Sequence, residues 1–467
     1  MNYKRRSLIF HITLILVAAS ITNTNAQTFS AGFNHALFNC ASGTPECVGS
    51  NTSGQLGLGT WVSHSTPVQV SALNGIIAVD ATYGNSLFLK NDGTVWAVGA
   101  NGNGQLGNGT TTSEIAPVRV LGLTGITAIA ASIDFSIFLK NDGTVWGVGN
   151  NTNGQLGDGT TVSKTTAVQV MGLTGITAIS AGMAHSLFLK NDGTVWATGS
   201  NYYGQIGNQP YFGVQTPVEI AGASGITAIA AGGTHSLFLK NDQTVWGVGS
   251  NAYGQLGNSN VGHYIYNAFQ IEGLSGISKL AGGFLFSLFL NNNGTVLASG
   301  ANTYGQLGDN STTDKSIPTA IPGLNGVIAI DAGVHFSMFL KSDGTLKSVG
   351  NNNSGQLGDG TNIQRLTPVL VNNVCANSLS IVQNHDKEAL AVYPNPCHER
   401  LFIETTNFNL ENGDTIVELS TLQGQLLKST VLKTPATALL INDLKTGIYF
   451  VTIKSAKGVY SKKIVKN

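Results

Sequence analysis

Three histidines, His35, His185 and His235, recur at near-multiples of 50 residues, and a second series of the same spacing places Ser30 between two aspartates, Asp80 and Asp331. Imidazoles gathered about one axis could hold a transition metal. A carboxylate pair beside a hydroxyl could bind a cation or act as general acid and base. The columns to which these residues belong argue for plainer roles. The histidine column reads His35, Asn85, Phe135, His185, His235, Phe286, Phe336, and a position that accepts Phe needs no ligand atom, so structural histidines are expected and no metal. The aspartate column reads Ser30, Asp80, Ala130, Ser180, Ala230, Ala281, Asp331. No separate His, Lys or Arg is placed to tune the two carboxylates, and solvated side chains near a channel mouth are the expectation. No nucleophile elbow, zinc-protease helix or P-loop occurs, so no catalytic residue and no cofactor is assigned.

Both columns belong to one internal repeat. The phrase GQLG begins at residues 54, 104, 154, 254, 305 and 355, with GQIG at 204, seven copies spaced by 50 or 51 residues. The unit from 226 to 276 reads as a strand, a turn, the strand HSLFLK, the tight turn NDQ and the strand TVWGVG entering a Gly-rich corner. Most other units carry NDG at that turn, a hairpin signal because Gly accepts positive φ. A short extended stretch such as PVQV closes each unit. Within the second strand Leu237 and Leu239 point to one face and Phe238 to the other, so the sheet must be covered on both sides. Neighbouring copies of the same sheet supply that cover, which predicts radially stacked propeller blades. Seven complete units predict a closed ring, because an open stack would leave two apolar faces bare. In that ring Ser30, Asp80 and Asp331 come from adjacent blades.

The repeated phrase itself reads as joining hardware. Asn51, Asn101, Asn151, Asn201, Asn251, Asn302 and Asn352 each precede the first Gly of the phrase by three residues, and a Gln follows that Gly. Side-chain amides at a tight corner can bond backbone groups that no strand pairs. A phosphate-cradling loop is excluded, since no G-K-[ST] follows and no helix opens after it.

The motifs G-x-N-x-x-G-Q-L-G, AGxxHS and NDGTVW, over about residues 28 to 372, resemble the repeat of the regulator of chromosome condensation family. The resemblance implies a seven-bladed propeller. The founding member's nucleotide exchange on a small nuclear GTPase is not carried over, because that activity needs a cytosolic form and nothing outside the scaffold repeats matches an exchange surface. Secreted relatives act as protein binders, among them an inhibitor of β-lactamase.

Residues 373 to 390 break the repeat with small and polar residues and read as a linker. Alternating strands then follow to the end, fit for a small β-sandwich over 391–467. Tyr393-Pro394-Asn395-Pro396, the GIYF stretch at Gly447 and the basic end Lys462-Lys463 resemble the C-terminal sorting domain of the type IX secretion system. That implies carriage across the outer membrane by that machinery and, commonly, attachment to the cell surface with removal of the tail.

The other end agrees with export. Lys4, Arg5 and Arg6 precede an apolar run from Leu8 to about Ile21, with small residues near Ala26, and residues 1–26 read as a signal peptide. The run is too short for a retained anchor, and no other window spans a membrane. Charged residues are only 10% of the chain, and residues 27–372 hold 11 Lys/Arg against 16 Asp/Glu, a net of −5. An acidic body lacks the basic footprint of nucleic-acid binding. In an exported chain the four cysteines can form disulfides. Cys40 and Cys47 flank the turn ASGTPE and come within disulfide reach if that loop folds back, two free thiols being the alternative. Ring closure also brings Glu46 of the first unit and Lys347 of the last to adjacent blades, where a partly exposed ion pair is expected.

Seven of the eight tyrosines between 27 and 372 fall between 202 and 304: Tyr202, Tyr203, Tyr211, Tyr253, Tyr264, Tyr266 and Tyr304, with Phe212 and His263 among them. They sit outside the repeated strand columns. A binding rim is one reading, and mutual packing under long loops is the other. The function expected from the whole sequence is a secreted or surface-held binding module for a protein or glycan. A secreted hydrolase or lyase using the channel is the alternative.

Overall fold

The computed structural model describes residues 28–207, 212–375, 390–393, 397–405, 416–421, 426–431, 434, 436–455 and 458–466. The signal segment, most of the linker, Tyr211 and Pro394–Pro396 lie outside the described residues.

Every described element is a strand, and the first 28 make seven four-stranded antiparallel sheets in simple sequence order. The first blade runs Thr28–Ala31, His35–Asn39, Glu46–Gly49 and His64–Gln69, and the seventh ends with Arg365–Leu370. The first strand of each blade faces a central channel lined by all seven blades, while the fourth strand is the exposed outer edge. The apolar faces behave as their alternation demands. Leu237 and Leu239 pack with Phe289 of the next blade, whereas Phe238 packs with Leu187 and Leu189 of the preceding one.

The Gly-rich corners fold as their amides require. Asn51 Oδ1 accepts the Leu56 amide at 2.9 Å and its Nδ2 donates to the Thr60 carbonyl at 2.7 Å, while Gln55 Oε1 accepts the Ser53 amide at 2.9 Å. The backbone amide bond to the corner asparagine recurs in all seven units. Gly54 shows why the phrase needs glycine. Its φ is +80°, and a Cβ there would lie 2.7 Å from the Glu114 carbonyl oxygen of the next blade.

The ring is closed. Blades 7 and 1 share one core in which Phe38, Cys40 and Val48 pack with Phe336, Met338 and Leu346, and the Val334 amide bonds the Gly32 carbonyl across the seam at 3.1 Å. The cysteine expectation is overturned here. Cys40 is bridged to Cys375, 335 residues away with Cα atoms 5.4 Å apart, and Cys47 is a free buried thiol. Strand alternation is the reason. Cys47 lies opposite Leu37 in the hairpin and faces the seam with blade 2, while Cys40 faces the seam with blade 7. The Glu46–Lys347 pairing also fails. Residues after the last outer strand turn back over blade 1, and the buried Glu46 carboxylate accepts the Cys375 amide at 2.6 Å, leaving Lys347 half-buried without an ion pair among the described residues.

The tail is a separate β-sandwich. Leu390–Tyr393, Arg400–Thr405 and Ala436–Leu440 form one sheet; Leu426–Val431, Ile416–Thr421, Gly447–Ser455 and Gly458–Lys466 form the other. They share a core of Leu401, Ile403, Val417, Leu419, Val451 and Ile464. Tyr393 is exposed and stacks on Phe402, Gly447 opens its strand, and the backbones of Lys462 and Lys463 pair with Val451 and Phe450.

Candidate functional site: the channel mouth

Ser30, Asp80 and Asp331 are brought together in the channel by three neighbouring inner strands. The Ser30 hydroxyl donates to Asp80 Oδ1 at 2.9 Å and accepts the Ala81 amide at 3.0 Å. Asp80 Oδ2 accepts the amide of Ala131 in the following blade at 2.8 Å, and Asp331 Oδ2 accepts that of Ala31 at 2.7 Å. Ser180 does the same for Ala231 at 2.9 Å. Each polar member of this column therefore stitches its blade to the next, because the innermost strand is a sheet edge whose outward amides need an acceptor. The aspartates do not match the solvated pair anticipated. They are only partly accessible along the channel and are surrounded by protein. Burial raises Asp80 to about 7, a rise opposed by the Ala131 hydrogen bond and reinforced by the charge of Asp331. Burial likewise raises Asp331.

The histidine column is structural in each of its three histidines. His35, His185 and His235 are fully buried, and each Nε2 meets the serine of the next blade, Ser86, Ser236 or Ser287, at 2.9–3.0 Å. Burial lowers all three to about 3, so they are neutral. They do not converge on the axis. Among the described residues the one cluster with metal-ligand chemistry is Cys40, Glu46 and Cys375, whose two sulfurs are joined to each other.

Above the carboxylates lies a rim that the sequence reading missed. Each inner strand turns into the next through two residues between the AG and His columns, and the first of the pair is Phe33, Tyr83, Ile133, Met183, Gly233, Phe284 or Val334. All of them except Phe33 line one cavity of about 320 Å³ together with Asp80 and Asp331. Phe33 stacks on Tyr83 with centroids 4.3 Å apart, His335 lies 5.6 Å from Phe33, and Tyr304 lies 4.4 Å from His335. An aromatic arc thus runs from the corner of blade 6 to the mouth at blade 2. Its signal in the sequence was variability: a pair of positions whose two residues differ in every unit.

The anticipated tyrosines do not form one patch. Tyr304 joins the mouth arc. Tyr203 meets Tyr264 edge-on at 5.2 Å, and the Tyr266 hydroxyl approaches the Tyr202 carbonyl at 3.5 Å, making a second aromatic cluster at the outer edge of blades 4 and 5. Phe212, Tyr253 and His263 are exposed.

A family model of the RCC1-like domain matches residues 44–386, most of the chain. The chain belongs to the RCC1-like propeller family. A second model, the secretion system C-terminal sorting domain, matches residues 391–467, so this is a secreted RCC1-like propeller with a type IX sorting tail. No curated protein matches it in sequence. Among solved structures it is similar to human WBSCR16, at 24% identity and TM-score 0.63 over 69% of this chain and 92% of that one. It is also similar to yeast RCC1 (Prp20), crystallised with Kap60, at 20% identity and TM-score 0.65 over 79% and 86%. A further structure of Prp20p from Saccharomyces cerevisiae, described with its binding to Gsp1p and histones, gives 20% identity and TM-score 0.64 over 78% and 88%. At these identities the RCC1-like domain shares their fold alone. No helix among the described residues is long and apolar enough to cross a membrane.

Proposed function

We propose that this protein is an exported binding module, delivered by the type IX machinery through residues 391–467 and held at or released from the cell surface, whose RCC1-like propeller captures a partner on the face that carries the channel mouth. The observation that carries the reading is the aromatic arc Tyr304–His335–Phe33–Tyr83. The repeated cores and corners are complete without it, Tyr83 is about half exposed, and aromatic rings with a polar tip are enriched where partners bind. The sorting tail supports a role outside the cytoplasm, which argues against nucleotide exchange on a nuclear GTPase. The −5 balance of residues 27–372 argues against nucleic acid. Exposed Tyr202, Tyr203, Phe212, Tyr253 and Tyr264 offer a secondary contact zone on blades 4 and 5.

The purified full chain, immobilised and exposed to secreted proteins and to surface polysaccharides, is expected to retain a partner. The combined variant Tyr83→Ala and Tyr304→Ala should lose that partner while its melting temperature stays within a few degrees of the parent. Undiminished capture by the variant would overturn the assignment of this face.

A further inference from the structure

The two channel aspartates have hydrogen bonds but no countercharge. Among the residues lining the cavity the ionisable groups are Asp80, Asp331 and Tyr83, and none is basic. Buried carboxylates are ordinarily paired with a cation. The nearest imidazole on the rim, His335, is lowered by burial and belongs to the aromatic arc. The carboxylates are also held in place by the neighbouring inner strands: Asp331 by the Ala31 amide, Asp80 by the Ala131 amide and the Ser30 hydroxyl. A carboxylate has about four acceptor sites, so each keeps capacity toward the channel, and its position is set before any ligand arrives.

We propose that the channel mouth is a docking socket for one cationic side chain of a partner polypeptide, a lysine ammonium or arginine guanidinium seated between Asp80 and Asp331 beneath the Phe33–Tyr83 rim. The inference rests on the reading of this face as the binding face and names the group that it recognises. The cavity of about 320 Å³ is at the small end of ligand pockets and is of a size for one long side chain. Ile133, Met183, Phe284 and Val334 line its wall, apolar cover for a methylene stem, while Tyr83, which also lines it, sets an aromatic ring beside the cation. A bare divalent ion fits less well. Calcium takes six to eight oxygens and magnesium a near-ideal octahedron, whereas here carboxylate oxygens are already shared with backbone amides and the Ser30 hydroxyl, and no further carboxylate lines the cavity. The partner's charge is set by complementarity, since residues 27–372 carry 11 basic against 16 acidic side chains.

Protonation gives the socket a signature. Asp80 is raised to about 7 by burial and by the charge of Asp331, and the groups facing it are Asp331 from blade 7, Ser30 from blade 1 and the Ala131 amide from blade 3. A cation prefers the ionised pair, so affinity should rise as pH passes upward through that value.

The test is isothermal titration of the purified full chain with Nα-acetyl-lysine amide, its uncharged norleucine counterpart and calcium chloride alone. Saturable binding of the lysine compound at pH 8 is expected, at least tenfold weaker at pH 5.5, with no binding of the norleucine compound. D80N/D331N should abolish it while remaining folded by circular dichroism, and Y83A should weaken it at least fivefold. Equal binding of norleucine, retention of binding in D80N/D331N, or calcium binding with no lysine response would each overturn the socket. If the lysine compound fails while the rim variant still loses its captured partner, the socket falls and the binding face stands. If the rim variant captures normally, the face itself falls.

Discussion

Six seams of this ring are alike and the seventh is not. Between successive blades a buried serine on the second strand, Ser86, Ser136, Ser186, Ser236, Ser287 or Ser337, donates to the corner glutamine carbonyl of the blade before it at 2.5–3.0 Å. At the closing seam that position is Ala36. In place of the serine bond stand the Cys40–Cys375 disulfide, the Glu46 carboxylate on the Cys375 amide, and Gln356 Nε2 donating to Asn34 Oδ1 at 3.2 Å. The difference follows from chain connectivity. The six ordinary seams join blades that are neighbours in sequence, so their loop-closure cost is small. The seventh joins residues 335 apart, and no strand from the chain's far end enters the first blade's sheet. A covalent clasp replaces the strand exchange that could otherwise hold such a junction.

Breaking that clasp is the largest effect expected. Cys375→Ser, or reduction, should destabilise the propeller by roughly 6 kcal/mol on the chain-entropy account, read as a fall in the denaturant midpoint, with blades 1 and 7 gaining amide exchange first. Unchanged stability would show that the apolar seam suffices alone.

How much of this was legible beforehand follows from the range of each signal. The blade count and corner roles are local and repeat seven times, so the columns announce them. The rim could be read only as variability. The disulfide could not be read, because which face Cys40 presents depends on strand register, and its partner lies at the far end of the ring. The aspartates were seen in the right column, but their stitching role depends on backbone amides, which carry no letter in the sequence.

The ordinary seams can be tested by removing their repeated bond. Ser236→Ala deletes the donor to the Gln205 carbonyl and the partner of His185 Nε2, leaving two buried groups unsatisfied. A loss of about 2–3 kcal/mol is expected, measurable by urea titration; a loss below about 0.5 kcal/mol would mean that the seams are held by hydrocarbon packing.

Acidity separates the channel from the seams. Asp80 is raised in the fold to about 7, so its favourable contribution is complete below the ordinary carboxylate range and is lost as pH rises through 7. From pH 5.5 to 8 this loss amounts to roughly 2 kcal/mol, and Asp80→Asn should remove it. His35, His185 and His235 are lowered to about 3, so their contribution is complete above the ordinary imidazole range and is lost as pH falls from about 6.5 toward 3. The three imidazoles outweigh the single carboxylate, so a melting-temperature profile should climb from acid to about pH 7 and level off toward pH 8, and Asp80→Asn should make that climb steeper. An Asp80→Asn profile no steeper than that of the parent would contradict the shift at Asp80.

The smallest change addresses the closing seam from the other side. Ala36 is fully buried and faces Phe336 in the preceding blade's histidine column, an arrangement already present at two ordinary seams, where Phe135 precedes Ser186 and Phe286 precedes Ser337. A serine at position 36 therefore has a precedent for its room and for its acceptor, the Gln356 carbonyl. Ala36→Ser should stabilise by up to about 1 kcal/mol, and in the Cys375→Ser background it should recover part of the loss, since the hydrogen bond and the clasp act on the same seam. If the gain is equal in both backgrounds the two devices are independent. If Ala36→Ser destabilises, the closing blades sit farther apart or closer together than the other six pairs, and the seventh seam differs in geometry as well as in chemistry.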